Sequence, residues 1–298
     1  MKKFGLMACV AICLCSACQK AEISDIEDEN NPQAVTDGVK TLFFMPGMDF
    51  SMNLEGWKAV DKGKTVISRA PLAESADSLL CVDYLENAYF SKKSGPVSGG
   101  MSLTLPYGPH VLRFVGHSST DYSVDTEKCR FSTPKVSETF LKSLDMEVNE
   151  STEPSFSVLM QRVVSKLTVV VTDAIPHGVD SVRLTVGNHM GALDMATGYG
   201  VAEEEKTFRI SWKLGETYVG RKGLSFSAFT FCQEGEFQVP VTIEALDAGG
   251  RVLHSQRADA VPLLMNRCTR ASCRLFSANT GVTFEEPADW EADKEISF

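Results

Sequence analysis

The sequence predicts an all-β protein, built as two tandem β-sandwich domains behind an export signal and a flexible tether. Three observations carry this. From about residue 36 the chain is a succession of short apolar runs broken by Gly, Pro, Asp and Asn, the punctuation of strands and turns. The clearest run alternates strictly: Phe237, Val239, Val241, Ile243 and Ala245 lie on one face, with Gln238, Thr242 and Glu244 opposite. No regular amphipathic helices separate the runs, which argues against a parallel α/β sheet. With 298 residues and 43% hydrophobic content, the chain can fill two cores, and wholesale disorder is excluded.

Residues 1–17 read as a signal peptide. Lys2 and Lys3 supply the positive start, Phe4 to Leu14 is apolar but too short to span a bilayer, and Ser16 and Ala17 are the small residues of a cleavage site. Cys18 follows directly, an arrangement that resembles a bacterial lipobox and marks Cys18 for lipidation. Cys15 stands where Leu is usual in that pattern, and an ordinary signal peptide with scattered cysteines is the alternative. Several acyl chains, at about 0.8 kcal/mol per buried CH₂, anchor a protein stably. Residues 18–35 then form an acidic tether with Asp25, Glu27, Asp28 and Glu29. Losing Lys2 and Lys3 takes the net charge from −10 to −12, which suits a soluble surface and disfavours nucleic acid as partner. Outside the N-terminus no apolar run approaches the roughly 18 residues of a membrane helix.

Expected strands are 39–45, 65–68, 88–91, 101–105 and 111–115, then 156–164, 167–172, 181–186, 207–214, 224–231, 237–246, 251–257, 268–276, 282–285 and 295–298. Leu167–Val171 reads as buried on both faces. Pro240 marks an edge position or a bulge. Asp247-Ala-Gly-Gly250 is a hairpin turn. Segments 73–87 and 138–149 stay open; the first fits a short helix or a strand pair. The polar stretch Asn149–Pro154 is taken as the boundary between domains 36–152 and 153–298.

No segment carries a strong catalytic signature, so no enzyme, cofactor or metal is expected. Gly116-His-Ser-Ser-Thr120 imitates a nucleophile elbow but lacks the second Gly that lets strand and helix pack closely. Asp121, Ser123, Asp125 and Glu127 imitate a calcium loop, yet Thr126 occupies the Gly position and Ser132 the final Glu position. His110, His117, His177, His189 and His254 form no short-spaced ligand pair. Glu203, Glu204 and Glu205 read as a solvated run. Beyond Cys18, the signal holds Cys9, Cys13 and Cys15; the other five cysteines are Cys81, Cys129, Cys232, Cys268 and Cys273. On one strand Cys268 and Cys273 would sit about 16 Å apart, too far for a disulfide, which needs roughly 7 Å. Most of the five read as small buried hydrophobes.

Several segments resemble one family. Leu103-Thr-Leu-Pro-Tyr-Gly-Pro-His110 looks like the strand, Pro-x-Gly, strand segment of Bacteroidales fimbrial lipoproteins. Gln161-Arg-Val-Val-Ser-Lys166-Leu167, running on to Asp173, resembles the opening of their second domain. Val261-Pro-Leu-Leu-Met-Asn266-Arg-Cys-Thr269 and the ending around Asp289-Trp290-Glu291 are similar to later strands. With the lipobox, these resemble the FimB/Mfa-type fimbrial anchor lipoproteins of the fimbrillin superfamily. The resemblance implies two transthyretin-like, Greek-key β-sandwiches and no enzyme activity. It implies a lipid-anchored base that attaches a fimbria to the outer membrane and limits its length, with fimbrial major or accessory subunits as partners through strand exchange. In polymer-forming relatives an arginine-directed protease opens the acceptor groove. Here Arg69-Ala70-Pro71 is a poor cut because of Pro71, which favours the anchor over a stalk subunit. A tip or accessory adhesin is the first alternative. A surface glycan binder is the second, and it would need Trp57, Trp212 or Trp290 exposed as a platform.

Overall fold

The computed structural model describes residues 38–48, 72–132, 136–203, 206–277, 281–285 and 287–289. The first half contributes β1 (Val39–Met48), β2 (Ser78–Leu85), β3 (Ala88–Pro96), β4 (Met101–Pro106), β5 (Gly108–His117), β6 (Tyr122–Val124), β7 (Lys128–Phe131), β8 (Thr139–Val148) and β9 (Ser155–Arg162). The second half contributes β10 (Val164–Val171), β11 (Ser181–Gly187), β12 (Ala192–Asp194), β13 (Gly200–Val201), β14 (Thr207–Lys213) and β15 (Leu224–Phe231). It ends with β16 (Phe237–Leu246), β17 (Val252–Leu263), β18 (Arg267–Cys273), β19 (Val282–Phe284) and β20 (Ala288–Asp289). Helix among the described residues is limited to three single turns, so the protein is all-β.

The first sheet runs β3-β2-β5-β8-β9-β1-β4. It folds over on itself where β8 meets β9, through only two paired positions, Phe140 with Arg162 and Leu141 with Gln161. The folding shows at Phe44 on β1, whose ring centre lies 5.1 Å from that of Phe114 on β5. Those strands are three steps apart in the sheet, roughly 14 Å if it were flat. The fold brings Leu42, Phe44, Leu103, Leu105, Val158 and Met160 of one layer onto Leu79, Cys81, Leu112 and Phe114 of the other. Each set alternates along its strand, as a half-buried sheet requires.

The second pair of sheets is β15-β10-β18-β19, with β20 also on β18, and β14-β11-β16-β17. Between them lie Leu167, Val169 and Val171 of β10, Phe226 and Ala228 of β15, and Val239, Val241, Ile243 and Ala245 of β16. β10 is buried along its whole length, as its three consecutive valines predict. Pro240 lies in a central strand, paired on both sides by β11 and β17, so it marks a bulge and not an edge. The register slips between Val239 and Val241, which accommodates the missing N–H, and Gly187 leaves room for the ring. The 247–250 turn is as expected: Asp247 Oδ1 accepts the N–H groups of Gly249 and Arg251, and Gly250 takes φ 80°.

A small sheet, β13-β12-β7-β6, joins the two halves by pairing Leu193 with Cys129 and Ala192 with Arg130. It covers the outer face of β2, whose Leu80, Val82 and Tyr84 share one apolar cluster with Phe131, Leu193 and Met195. β2 is therefore buried on both faces. That explains why 73–87 showed no clean period: alternation is erased when neither face meets water. The segment forms a turn at Leu72–Glu74 and then β2, which pairs with β3 through a corner at Glu86 and Asn87 with φ 53° and 65°. Segment 138–149 is β8. The polar stretch 149–154 turns β8 into β9, with Asn149 Oδ1 accepting from the Ser151 N–H; the chain passes to the second pair of sheets at Val163.

Candidate functional site

Cys18, the tether, Arg69–Pro71, Trp57, Trp290 and the expected strands 65–68 and 295–298 lie outside the described residues. Trp212 packs against Phe226 with ring centres 5.1 Å apart, half-buried at the margin of the core, so it is not a free platform. Gly116–Thr120 closes β5 and leads through a turn to β6, with no helix behind the serines. Of the carboxylates in the calcium-like segment, Asp121 accepts from Ser132 Oγ at 2.8 Å, and Asp125 is already employed. Asp125 Oδ1 caps the β6–β7 turn by accepting from the N–H groups of Glu127 and Lys128 at 2.8 and 2.7 Å, and Arg130 pairs with its other oxygen. Partial burial opposes ionisation there, but Arg130 and the turn amides outweigh it and hold Asp125 at about 2. Glu203 pairs with Arg130 at 3.2 Å; Glu204 and Glu205 lie outside the described residues. No trio of metal-ligating side chains converges among the described residues.

The five described cysteines are free thiols, and Cys81, Cys129, Cys232 and Cys273 are buried. Burial pushes Cys129 and Cys232 up to about 12, which leaves them inert as nucleophiles. Cys268 and Cys273 share β18, within the strand expected over 268–276.

The histidines divide by environment. His177 is exposed, and His254 stands edge-on to Phe276. His110 is buried with Nδ1 2.8 Å from Asp83 Oδ1 and Nε2 2.9 Å from the Pro106 carbonyl. Burial would lower it, but Asp83 and that carbonyl prevail, and its affinity for a proton is raised. Asp83 gave no sequence signal, because its partner lies 27 residues away on a neighbouring strand. His117 and His189 are buried in apolar surroundings, and burial lowers each to about 4. His117 stands against Tyr122 and Phe131, with no well-aligned hydrogen bond at either nitrogen; the Ser119 backbone offsets only part of the effect of burial.

Two of the motif-bearing segments meet at a single seam. β10 runs parallel to β18, with Lys166 opposite Cys268 and Leu167 opposite Thr269. At the head of this pair Arg162, 6% exposed, donates through Nε to Glu138 Oε1 at 2.7 Å and through Nη1 to Asn266 Oδ1 at 3.0 Å. Its guanidinium also lies over the Phe140 ring. Asn266 adopts φ 56°, which Asn tolerates better than most residues, and its N–H donates to the Val164 carbonyl. Thr269 Oγ1 donates to the Pro262 carbonyl at 2.6 Å. At the far end Asp173 accepts from the N–H groups of Leu275 and Phe276 at 2.9 and 2.8 Å. The residues quoted at the ends of these segments therefore hold the parallel pair in register. Glu138 is the member that the sequence did not point to.

Among the described residues, the remaining edge of β18 is covered by the short β19 and β20: Val282–Phe284 pair with Ala271–Cys273, and Ala288–Asp289 with Arg267–Cys268. Phe284 is 46% exposed, so the cover packs loosely. Two other edges are blunted, β3 by Lys92, Lys93 and Pro96 and β14 by Arg209 and Lys213.

No protein-family model matches the sequence, and no curated protein does. Solved structures match by shape. A candidate cell adhesion protein from Bacteroides ovatus superposes with TM-score 0.51 at 11% identity, covering 86% of this chain and 99% of the other. A protein from Bacteroides thetaiotaomicron, described as a candidate polysaccharide binding protein, gives TM-score 0.50 at 9% identity, covering 82% and 97%. The fimbrial anchor protein Mfa2 from Porphyromonas gingivalis gives TM-score 0.48 at 12% identity, covering 83% and 95%. At these identities the likeness is one of fold.

Proposed function

We propose that this protein is a cell-surface fimbrial assembly subunit: the lipid-anchored base that attaches a fimbria to the outer membrane through Cys18. The observation that carries the reading is the β10–β18 seam, where Arg162 of one family-like segment is bonded to Asn266 of another, so that two separate resemblances form one structural unit. The all-β fold shared with Bacteroides adhesion proteins supports it. The partner is a fimbrial subunit joined by strand exchange. Its acceptor is the edge of β18, because a cover made of two short strands, which together pair with five of its seven residues, is the cheapest to displace. Main-chain hydrogen bonds would supply affinity, and alternate side chains entering the sheet would supply selectivity. A subunit fixed in the membrane can only occupy the base, which is how it would limit length.

The test is Cys18→Ala in cells that make the fimbria. The reading expects the protein to leave the membrane fraction still folded, and fimbriae to be longer and shed into the medium. Fimbriae of normal length that stay attached would overturn the anchoring role.

A further inference from the structure

The corner where β4 turns into β5, Pro106–His110, is gripped from three sides. The Tyr107 N–H donates to the Gly38 carbonyl at 2.9 Å, and its ring lies against Gly38, just before β1 begins. The Glu86 N–H donates to the Pro109 carbonyl at 3.0 Å. His110 makes the third hold: Nδ1 lies 2.8 Å from Asp83 Oδ1 on β2, and Nε2 lies 2.9 Å from the Pro106 carbonyl.

Both groups that His110 faces are acceptors, a carboxylate and a carbonyl. A neutral imidazole has one N–H, so either tautomer leaves one of these contacts as two lone pairs turned on each other. The imidazolium serves both. The His110 and Asp83 side chains are 0 and 2% exposed, and Asp83 Oδ2 is buried with no partner. Removing the proton therefore strands the Asp83 charge at the end of the first core, opposite Leu112.

The charged groups around the pair reinforce this. Glu86, Asp145 and Glu147 are exposed and line a cleft of about 370 Å³ outside His110, and among the described residues no Lys or Arg lines it. The other neighbours, Leu85 on β2, Phe90 on β3 and Met146 on β8, carry no charge. Burial opposes the charge on His110, but Asp83, the Pro106 carbonyl and Glu147 outweigh it and raise its proton affinity above the ordinary 6.5. The contact is thus complete below 6.5 and is lost as pH climbs through the folded value.

We propose that His110 and Asp83 form a proton-operated clasp, which holds the β4–β5 corner and the start of β1 while charged and releases them when the proton leaves. The point it governs is where the chain enters the first sandwich. The device stands on the geometry of the corner and does not rest on the anchoring role.

The test uses the full chain in detergent, with ¹⁵N-labelled histidine. A long-range ¹H–¹⁵N spectrum followed from pH 5.5 to 9 reads both His110 nitrogens, assigned by their absence from His110→Gln. Both should carry protons at pH 6.5, and one should be lost at higher pH. Hydrogen exchange of the peptides spanning 38–44 and 104–110, corrected for the intrinsic rate, should lose protection about 10-fold per pH unit above the titration midpoint. The peptide spanning 164–171 should stay unchanged. Asp83→Asn offers an amide N–H to a bare Nδ1, which satisfies a neutral His110 on both sides, so the same peptides should keep equal protection from pH 6.5 to 9. A neutral His110 at pH 6.5 would overturn the clasp and assign the shared proton to Asp83. Unchanged protection of 38–44 and 104–110 as His110 titrates would also overturn it, as would an equal loss in Asp83→Asn. Should Asp83→Asn fail to fold, the two readings on the unaltered protein decide.

Discussion

Replacing His117 with Phe should make the protein more resistant to acid. His117 is fully buried, its two nitrogens find no well-aligned hydrogen bond, and the Ser119 backbone and Asp77 only partly offset the cost of burial, so an apolar ring of similar shape removes a liability and few contacts. Burial lowers its affinity for protons from 6.5 to about 4. The unfolded chain thus binds a proton that the folded chain refuses between those values, and stability falls as pH drops through that window. At pH 5 the unfolded histidine is almost wholly charged and the folded one almost wholly neutral. The linkage relation then gives a loss of about 2 kcal/mol relative to pH 7.5. His189 contributes in the same sense, and it is present in both proteins. His110 acts oppositely: its proton affinity is raised, so its contribution is present at low pH and is lost as pH climbs through its folded value. Because both backgrounds share these terms, the difference between wild type and His117→Phe isolates one group. Urea unfolding followed by tryptophan fluorescence at pH 5 and 7.5 reads it. The variant should lose about 2 kcal/mol less than wild type on going to pH 5. Equal losses in the two proteins would show that His117 is hydrated or bonded when folded, contrary to the reasoning.

Four further outcomes are expected. Glu138→Ala removes the carboxylate that faces the buried Arg162 and should lower stability by about 2 kcal/mol, whereas Glu138→Gln keeps an acceptor and should cost less; a shared urea midpoint would contradict the seam. Gly187→Ala would set a Cβ 2.7 Å from Pro240 Cγ and should destabilise by about 1–3 kcal/mol. Gly95→Ala, with open space around it, should change stability by no more than about 0.5 kcal/mol in the same assay. Among the five described cysteines, native alkylation read by peptide mass spectrometry should label Cys268 first, the one thiol not buried; early labelling of Cys129 would contradict the packing of β7.

Alternation made the sandwich cores legible. Phe237–Leu246, Leu224–Phe231 and Ser181–Val186 each present one apolar face, and each is a strand within a residue of its expected bounds. The strands that escaped detection fail that condition. β6, β7, β12 and β13 have two to four residues, too few to show a period, and β2 is buried on both sides. Pro240 signalled a bulge because a missing N–H must be accommodated in any strand, but only the pairing tells a bulge from an edge. The seam was half legible: Arg162, Asn266 and Thr269 stood in segments with a family likeness, while Glu138 lay in a stretch with no distinguishing pattern.

The most direct test of the anchoring account is an affinity pull-down of the tagged full chain from gently solubilised outer membranes, run unboiled and boiled and identified by mass spectrometry. The account predicts a heat-sensitive ladder containing a second β-rich subunit, because strand-exchanged pairs withstand detergent until heated. A lone lipoprotein from cells shown to carry fimbriae would contradict it.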